Sequence, residues 1–220
     1  MSKELKTIYR KIRLSLPGGT NYLLREISRG GGTVGKNIRL YSRSNITIDM
    51  TRPWLLTIGD NVMLTKGVII LTHDYSKAVL KNLYGDDIGE GAETVIGNNC
   101  FIGMNSIVLM GTHIGNNVIV GAGSVVHGTI PDNVVIAGNP ARVICTIEEH
   151  YEKRKQRTST EAIKCAQRYY FAKGVAPTAY EMRYFKSLFT KNSGKGTNMQ
   201  KWNDFAEFLK AAGIENTNNG

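Results

Sequence analysis

The sequence predicts a mainly β fold: a parallel β-helix between an N-terminal helical cap and a C-terminal helical extension. Three observations carry that prediction. An aliphatic column recurs every six residues, glycine follows it at many of its positions, and both flanks switch to helix signals. Stepping by six from Val34 reaches Leu40, Ile46, Arg52, Ile58, Leu64 and Ile70; restarting at Ile96 reaches Ile102, Val108, Ile114, Val120 and Val126. Twelve of these thirteen are Val, Ile or Leu, types that fill 50 of the 220 positions, so chance supplies about three. A helix repeats near 3.6 and an alternating sheet near two, whereas three short strands with sharp turns close one coil in eighteen residues. Stacked coils share backbone hydrogen bonds, and the aliphatic column becomes a continuous core.

The elements follow in chain order. Residues 4–16 place Leu5, Ile8, Tyr9 and Ile12 on one helical face, ringed by Lys3, Lys6, Arg10, Lys11 and Arg13. Such a helix caps the open end of a solenoid or lies on an anionic membrane surface. We therefore divide the chain into a cap (1–33), a β-helix of about six coils (34–145) and a helical extension (146–220). Gly35, Gly59, Gly97, Gly103, Gly115 and Gly121 supply tight corners, and IGNNCF and IGNNVI stand eighteen residues apart, so those turns should stack. Arg52 breaks the column in RPWLLT. Ile70 to Ile96 spans 26 residues, so an inserted loop, about 74–92, leaves the coil there. Loops on a rigid scaffold are where binding residues concentrate. Beyond Ile144, Thr146 with Glu149, Thr178 with Glu181, and Thr197 with Gln200 read as three capping boxes, each opening a helix.

Composition excludes several classes. With 41% hydrophobic and 21% charged residues the chain is neither disordered nor membrane-spanning. Three cysteines without a CxxC pair disfavour a disulfide framework and a zinc site, and fit a reducing compartment. No apolar stretch follows the charged start, which argues against a secretory signal; the expected location is cytoplasmic. A net charge of +10 suits anionic partners without choosing among them. No nucleic-acid-binding motif accompanies it.

The stretch IGNNCFIGMNSIVLMGTHIGNNVIVGAGSVVHGTIPDNVVIAGNPARVI resembles the hexapeptide-repeat acyltransferases, with VGAGSVV and GNPARVI as its specific marks. The branch it is most similar to is that of the sugar and capsular-polysaccharide O-acetyltransferases, with the galactoside and maltose acetyltransferases. The resemblance implies a left-handed coil, acetyl-CoA as co-substrate and a homotrimer with coenzyme A in the groove between chains. It also implies a general base matching His73, which stands where the coil gives way to the loop. Asp74 follows His73 and either orients the imidazole or anchors the loop. Met104 and Ala122 match contacts to the cofactor chain, and Arg142 a contact to its nucleotide end. His127 and Gly128 match cofactor-binding positions where relatives often have Thr-Lys; the missing Lys weakens one expected phosphate contact, for which His127 or a Lys from another segment substitutes. Phe101 occupies a position often held by Trp; it lines the site or fills a coil corner. Trp54, Tyr75 and Tyr84 are candidates for the acceptor pocket. His113 and His150 read as surface residues.

Acetyl transfer to a hydroxyl needs a base and oxyanion donors, and no metal is expected. N-acetylation of an amino sugar and acetylation of serine use the same scaffold and stay open. A zinc hydratase on a similar coil needs several converging histidines, and here the coil histidines fall at unrelated coil positions. A non-catalytic β-helix scaffold is the remaining alternative.

Overall fold

The computed structural model describes residue 5 and residues 19–41, 45–190 and 199–214. The chain divides into two compact units, 1–148 and 149–220. The helix expected over residues 4–16 lies outside the described residues apart from Leu5. In the first unit, helix α1 (Gly19–Arg29) sends Leu23 and Ile27, one turn apart, into the same core as the coil residues.

Fourteen short strands then wind through three parallel sheets. The first sheet stacks β1 (Thr33–Val34), β4 (Leu56–Ile58), β7 (Thr94–Ile96), β10 (His113–Ile114) and β13 (Thr129–Ile130). The second stacks β2 (Arg39–Leu40), β5 (Met63–Leu64), β8 (Phe101–Ile102), β11 (Ile119–Val120) and β14 (Val134–Gly138). The third stacks β3 (Thr47–Ile48), β6 (Ile69–Ile70), β9 (Ile107–Val108) and β12 (Val125–Val126). A last strand, β15 (Ala141–Thr146), folds back antiparallel on β14. Inward-facing aliphatic residues of successive strands form the buried columns Ile58–Ile96–Ile114–Ile130, Leu40–Leu64–Ile102–Val120–Ile136 and Ile48–Ile70–Val108–Val126. Burying each such side chain contributes about 1.5–3 kcal/mol.

The coils number five, the last incomplete, and not the six expected. Two insertions account for the difference. Val34 pairs with Ile58, so the first coil is 24 residues long where 18 would close it. The surplus equals one repeat, so stepping by six passed through it unseen. The third column runs through Ile48 and not Ile46, and Arg52 belongs to the surplus, at the entry to a 3-10 turn at Pro53–Leu55. The second insertion lies between Ile70 and Ile96. It leaves the coil whole, closed by an antiparallel bridge between His73 and Gly91, and carries helix α2 (Lys77–Tyr84). No residue of α2 is buried; Lys77 and Lys81 both reach Asp87, at 2.9 and 3.3 Å.

The corner between the first and second sheets repeats without interruption. Asn37, Asn61, Asn99, Asn117 and Asn133 all take left-handed φ of 55–60°, a conformation that asparagine tolerates better than most residues. Their amides bond from coil to coil, Asn99 to Asn117 at 2.7 Å and Asn117 to Asn133 at 2.8 Å. Beside them, Asp60, Asn98, Asn116 and Asp132 each accept a backbone N–H from the previous coil at 2.7–2.9 Å. Glycine is required between these columns: a Cβ on Gly97 would lie 2.5 Å from the Gly115 carbonyl oxygen.

In the second unit, helix α3 (Ile147–Lys173) begins directly after Thr146. Glu181 reaches back to Thr178, Oε2 accepting the Thr178 N–H at 2.8 Å and its hydroxyl, which is half of the expected capping box, and the pair opens turns and a 3-10 segment (Arg183–Leu188) in place of an α-helix. Thr197 lies outside the described residues. The last helix, α4 (Phe205–Ala211), is capped by Asp204, whose side chain accepts the Glu207 N–H at 2.8 Å. Met182, Phe189, Trp202 and Phe208 are central to this unit's own core. No described helix is long and apolar enough to cross a membrane.

Candidate active site

The site forms at the corner between the third and first sheets, where the second insertion and four of the six surplus residues of the first coil leave the stack. Strands β3 and β6 run in register, Ile48 opposite Ile70. The residues that follow them therefore meet: Asp49 donates its N–H to the Ile70 carbonyl at 2.9 Å and comes beside Thr72 and His73. Asp49 is only 8% exposed, and its carboxylate is saturated. Oδ1 accepts the Thr51 N–H at 2.9 Å and the Thr51 hydroxyl at 2.7 Å. Oδ2 accepts the Thr72 N–H at 3.2 Å and its hydroxyl at 2.5 Å, and also faces His73 Nδ1. Burial pushes the Asp49 pKa up, but the hydrogen bonds from Thr51, Thr72 and His73 outweigh it and hold the carboxyl well below the usual carboxylate range.

An ionised carboxylate only accepts hydrogen bonds, so the proton between the two groups belongs to His73 Nδ1. Thr51 Oγ1, 3.1 Å from Nδ1, is a second neighbour of that proton. In the neutral imidazole this placement leaves the lone pair on Nε2, the form a general base requires. The Tyr75 ring meets the imidazole edge-on, centroids 4.7 Å apart. Gly91 closes the loop opposite His73, and the Arg52 guanidinium lies over it, donating to the Glu90 carbonyl at 3.2 Å.

Asp74 does not orient the imidazole. Its Oδ1 accepts the Ser76 N–H at 3.0 Å and the Ser76 hydroxyl at 2.8 Å, the anchoring alternative. Neighbours in an extended segment point to opposite sides, so the carboxylate that reaches His73 comes from the coil below. Asp49, Thr51 and Thr72 are the residues that sequence reasoning missed as a cluster. The signal for the first two was the hidden extra repeat around Arg52.

The remaining predicted residues spread over three places. Trp54 and the exposed pair His127–Gly128 lie on the same corner as His73, in other coils. Tyr75 and Tyr84 are exposed on the loop. Met104 and Ala122 sit one above the other on the corner between the second and third sheets, the Met104 carbonyl accepting the Gly123 N–H at 2.7 Å. Phe101 points outward from the second sheet, and Arg142 lies opposite Ala137 at its end. Within the chain the structure brings Tyr75, Thr51, Thr72 and Asp49 to His73, and does not bring Phe101, Met104, Ala122 or Arg142 there. Among the described residues no three of His, Cys, Asp and Glu converge as a metal-ligand set.

A coil built on a six-residue repeat, with a carboxylate–imidazole pair where it opens into a loop, has the architecture of the hexapeptide-repeat acyltransferases. Comparison with known proteins agrees. Residues 93–127 match the family described as hexapeptide repeat of succinyl-transferase. Protein CapG of Staphylococcus aureus is 44% identical over 128 residues, 58% of this chain and 73% of CapG. Galactoside O-acetyltransferase of Escherichia coli K12 is 38% identical over 125 residues, 54% of this chain and 57% of that enzyme. The crystal structure of a maltose O-acetyltransferase from Clostridium difficile 630 superposes with a TM-score of 0.49 at 30% identity, covering 66% of this chain and 85% of that one. The chain belongs to the hexapeptide-repeat acetyltransferase family.

Proposed function

We propose that the protein transfers an acetyl group from acetyl-CoA to a hydroxyl of a sugar or glycan, in the cytoplasm, with His73 as general base. The observation that carries this reading is the Asp49–His73 pair, in which the carboxylate engages Nδ1 and leaves Nε2 outside that bond, at the root of the inserted loop. Nε2 takes the proton of the acceptor hydroxyl as its oxygen attacks the thioester carbonyl. The tetrahedral intermediate collapses, the carbon–sulfur bond breaks, and the imidazolium returns the proton to the departing thiolate. The product is an ester and free coenzyme A, and His73 ends as it began.

Met104, Ala122, His127, Gly128 and Arg142 are the proposed coenzyme A contacts; Trp54, Tyr75, Tyr84 and Phe101 are proposed for the acceptor. These residues lie on different faces of one protomer, which supports a homotrimer whose grooves join two chains. The sugar acceptor is favoured by the relationship to the galactoside O-acetyltransferase.

The test is acetyl-CoA consumption across nucleotide sugars and repeat-unit oligosaccharides. One or more should support turnover, and His73→Ala should lower it by about 10²–10⁴ with coenzyme A affinity retained. Turnover unchanged in His73→Ala removes the base assignment; acetylation confined to amines or serine removes the sugar-hydroxyl acceptor.

A further inference from the structure

We infer that a groove in the C-terminal unit binds acidic glycan chains, a second carbohydrate site distinct from the one that carries His73. The groove has a volume of about 900 Å³ and is walled by two segments distant in sequence. One wall is a stripe of α3: Lys164, Gln167, Arg168 and Phe171, at the i, i+3, i+4, i+7 spacing that shares a helix face. The other is the end of α4 and the residues after it, Ala212 to Ile214. Gln167 Nε2 donates to the Ala212 carbonyl at 3.0 Å and ties the walls together.

The chemistry of this groove is cationic and aromatic at once. Lys164 and Arg168 are exposed, one turn apart, and neither has a carboxylate partner among the described residues. Glu161, the acidic residue one turn before Lys164, pairs with Arg154 at 3.6 Å. Two like charges at that spacing repel and weaken the helix, a cost that an anionic ligand removes. Residues 149–220 hold thirteen Lys and Arg against seven Asp and Glu, a net of +6, so the field over the unit favours the same ligand. Phe171, 88% exposed, stands at the groove as a flat apolar platform beside those cations.

A flat ring beside fixed cations suits a sugar ring that carries a carboxylate: the apolar face of the sugar lies on the aromatic ring and the carboxylate meets Arg168 or Lys164. Concavity favours an extended chain over a membrane, since a bilayer surface cannot enter a cleft. The choice of a glycan rests on the sugar-acetyltransferase reading. If that reading holds, the groove tethers a polymeric acceptor and raises its effective concentration for transfer.

The test titrates the full-length protein, without acetyl-CoA, with polygalacturonate oligosaccharides, with dextran as the neutral control, and with phosphatidylglycerol vesicles. Polygalacturonate should bind in a salt-sensitive way and dextran should not. The double variant Lys164→Ala/Arg168→Ala should weaken binding roughly tenfold, and Phe171→Ala roughly threefold. All three side chains are exposed, so the variants should fold, and turnover on a monosaccharide-sized acceptor should stay unchanged. Equal affinity in wild type and variants overturns the inference. So does Phe171-dependent binding to vesicles without glycan binding, or a change in the sedimentation of the free variants, which would assign the groove to a membrane or to a second copy. Binding is read apart from transfer. A chain that binds polygalacturonate yet acetylates no sugar would therefore refute the proposed function and leave the groove standing.

Discussion

Two corners of the same coil have opposite characters. The corner between the first and second sheets repeats the same left-handed asparagine in every coil, and its side-chain amides and carboxylates bond from coil to coil. The corner between the third and first sheets is broken twice, by the Asp49–Leu55 surplus and by the 73–91 loop, and there the polar groups converge on one imidazole. A stack of coils tolerates an insertion at a corner because the strands on either side still pair. Regularity therefore marks the corner that holds the stack, and irregularity the corner that holds chemistry.

The largest effect expected from breaking this contrast is at Asp49. In Asp49→Asn the amide donates to Nδ1 and shifts the imidazole proton to Nε2, the tautomer that cannot act as base. Turnover should fall by about 10²-fold or more, the effect of a wrong tautomer in histidine-based catalysis, while Asp74→Asn should stay within about threefold, a rim residue bonded only within its loop. Steady-state kinetics on the two variants decide between them; equal losses would return the orienting role to Asp74.

Replacing residues 78–88 with a Gly-Ser bridge comes next. No residue of α2 is buried, so the fold should survive. Acceptor KM should rise by about tenfold or more, as binding contacts are lost, and acetyl-CoA affinity, measured by calorimetry, should stay level. A deletion that abolishes coenzyme A binding in a folded protein would assign the loop to the other ligand.

At the regular corner the same kind of change should act on stability alone. Asn117→Ala removes side-chain bonds to both neighbouring coils and places a Cβ-bearing apolar residue at φ 55°. The expected cost is about 1–3 kcal/mol, read by urea unfolding, with turnover per folded molecule unchanged.

What the sequence disclosed follows from what each feature depends on. The columns were legible because burial imposes one residue type at a fixed period, and His73 because it stands at the visible break after Ile70. The first insertion was hidden because six extra residues preserve a six-residue phase; Ile46 took the place of Ile48 without disturbing the count. Asp49 could not be read as the partner of His73 while that insertion was hidden, since their meeting depends on the register of β3 on β6. Asp74 attracted the assignment by being adjacent, which along an extended chain is the wrong direction. The helix signals were partly local: Glu181 reaches back to Thr178 as the box requires, but the segment after it packs as a 3-10 turn around Met182 and Leu188.

The smallest effect separates the two corners by acid. Each corner carries a carboxyl held below its usual range: Asp49 by the threonine and histidine bonds that outweigh its burial, and Asp132 by the Asn116 backbone and side chain. In both, the folded protein binds fewer protons than the unfolded chain between the two pKa values, so stability rises with pH across that interval. The contribution is fully present above the unfolded carboxylate value near ~3.9 and is lost as pH falls through the folded value. Asp132 is exposed to solvent, where screening weakens such a contribution, while Asp49 is enclosed. Below about pH 4, the usual carboxylate range, Asp49→Asn should therefore flatten the acid limb of the stability curve more than Asp132→Asn does. Urea midpoints measured from pH 6 down to pH 3 check this. A larger change in Asp132→Asn would mean that the regular corner, and not the site, sets the acid limit of the coil.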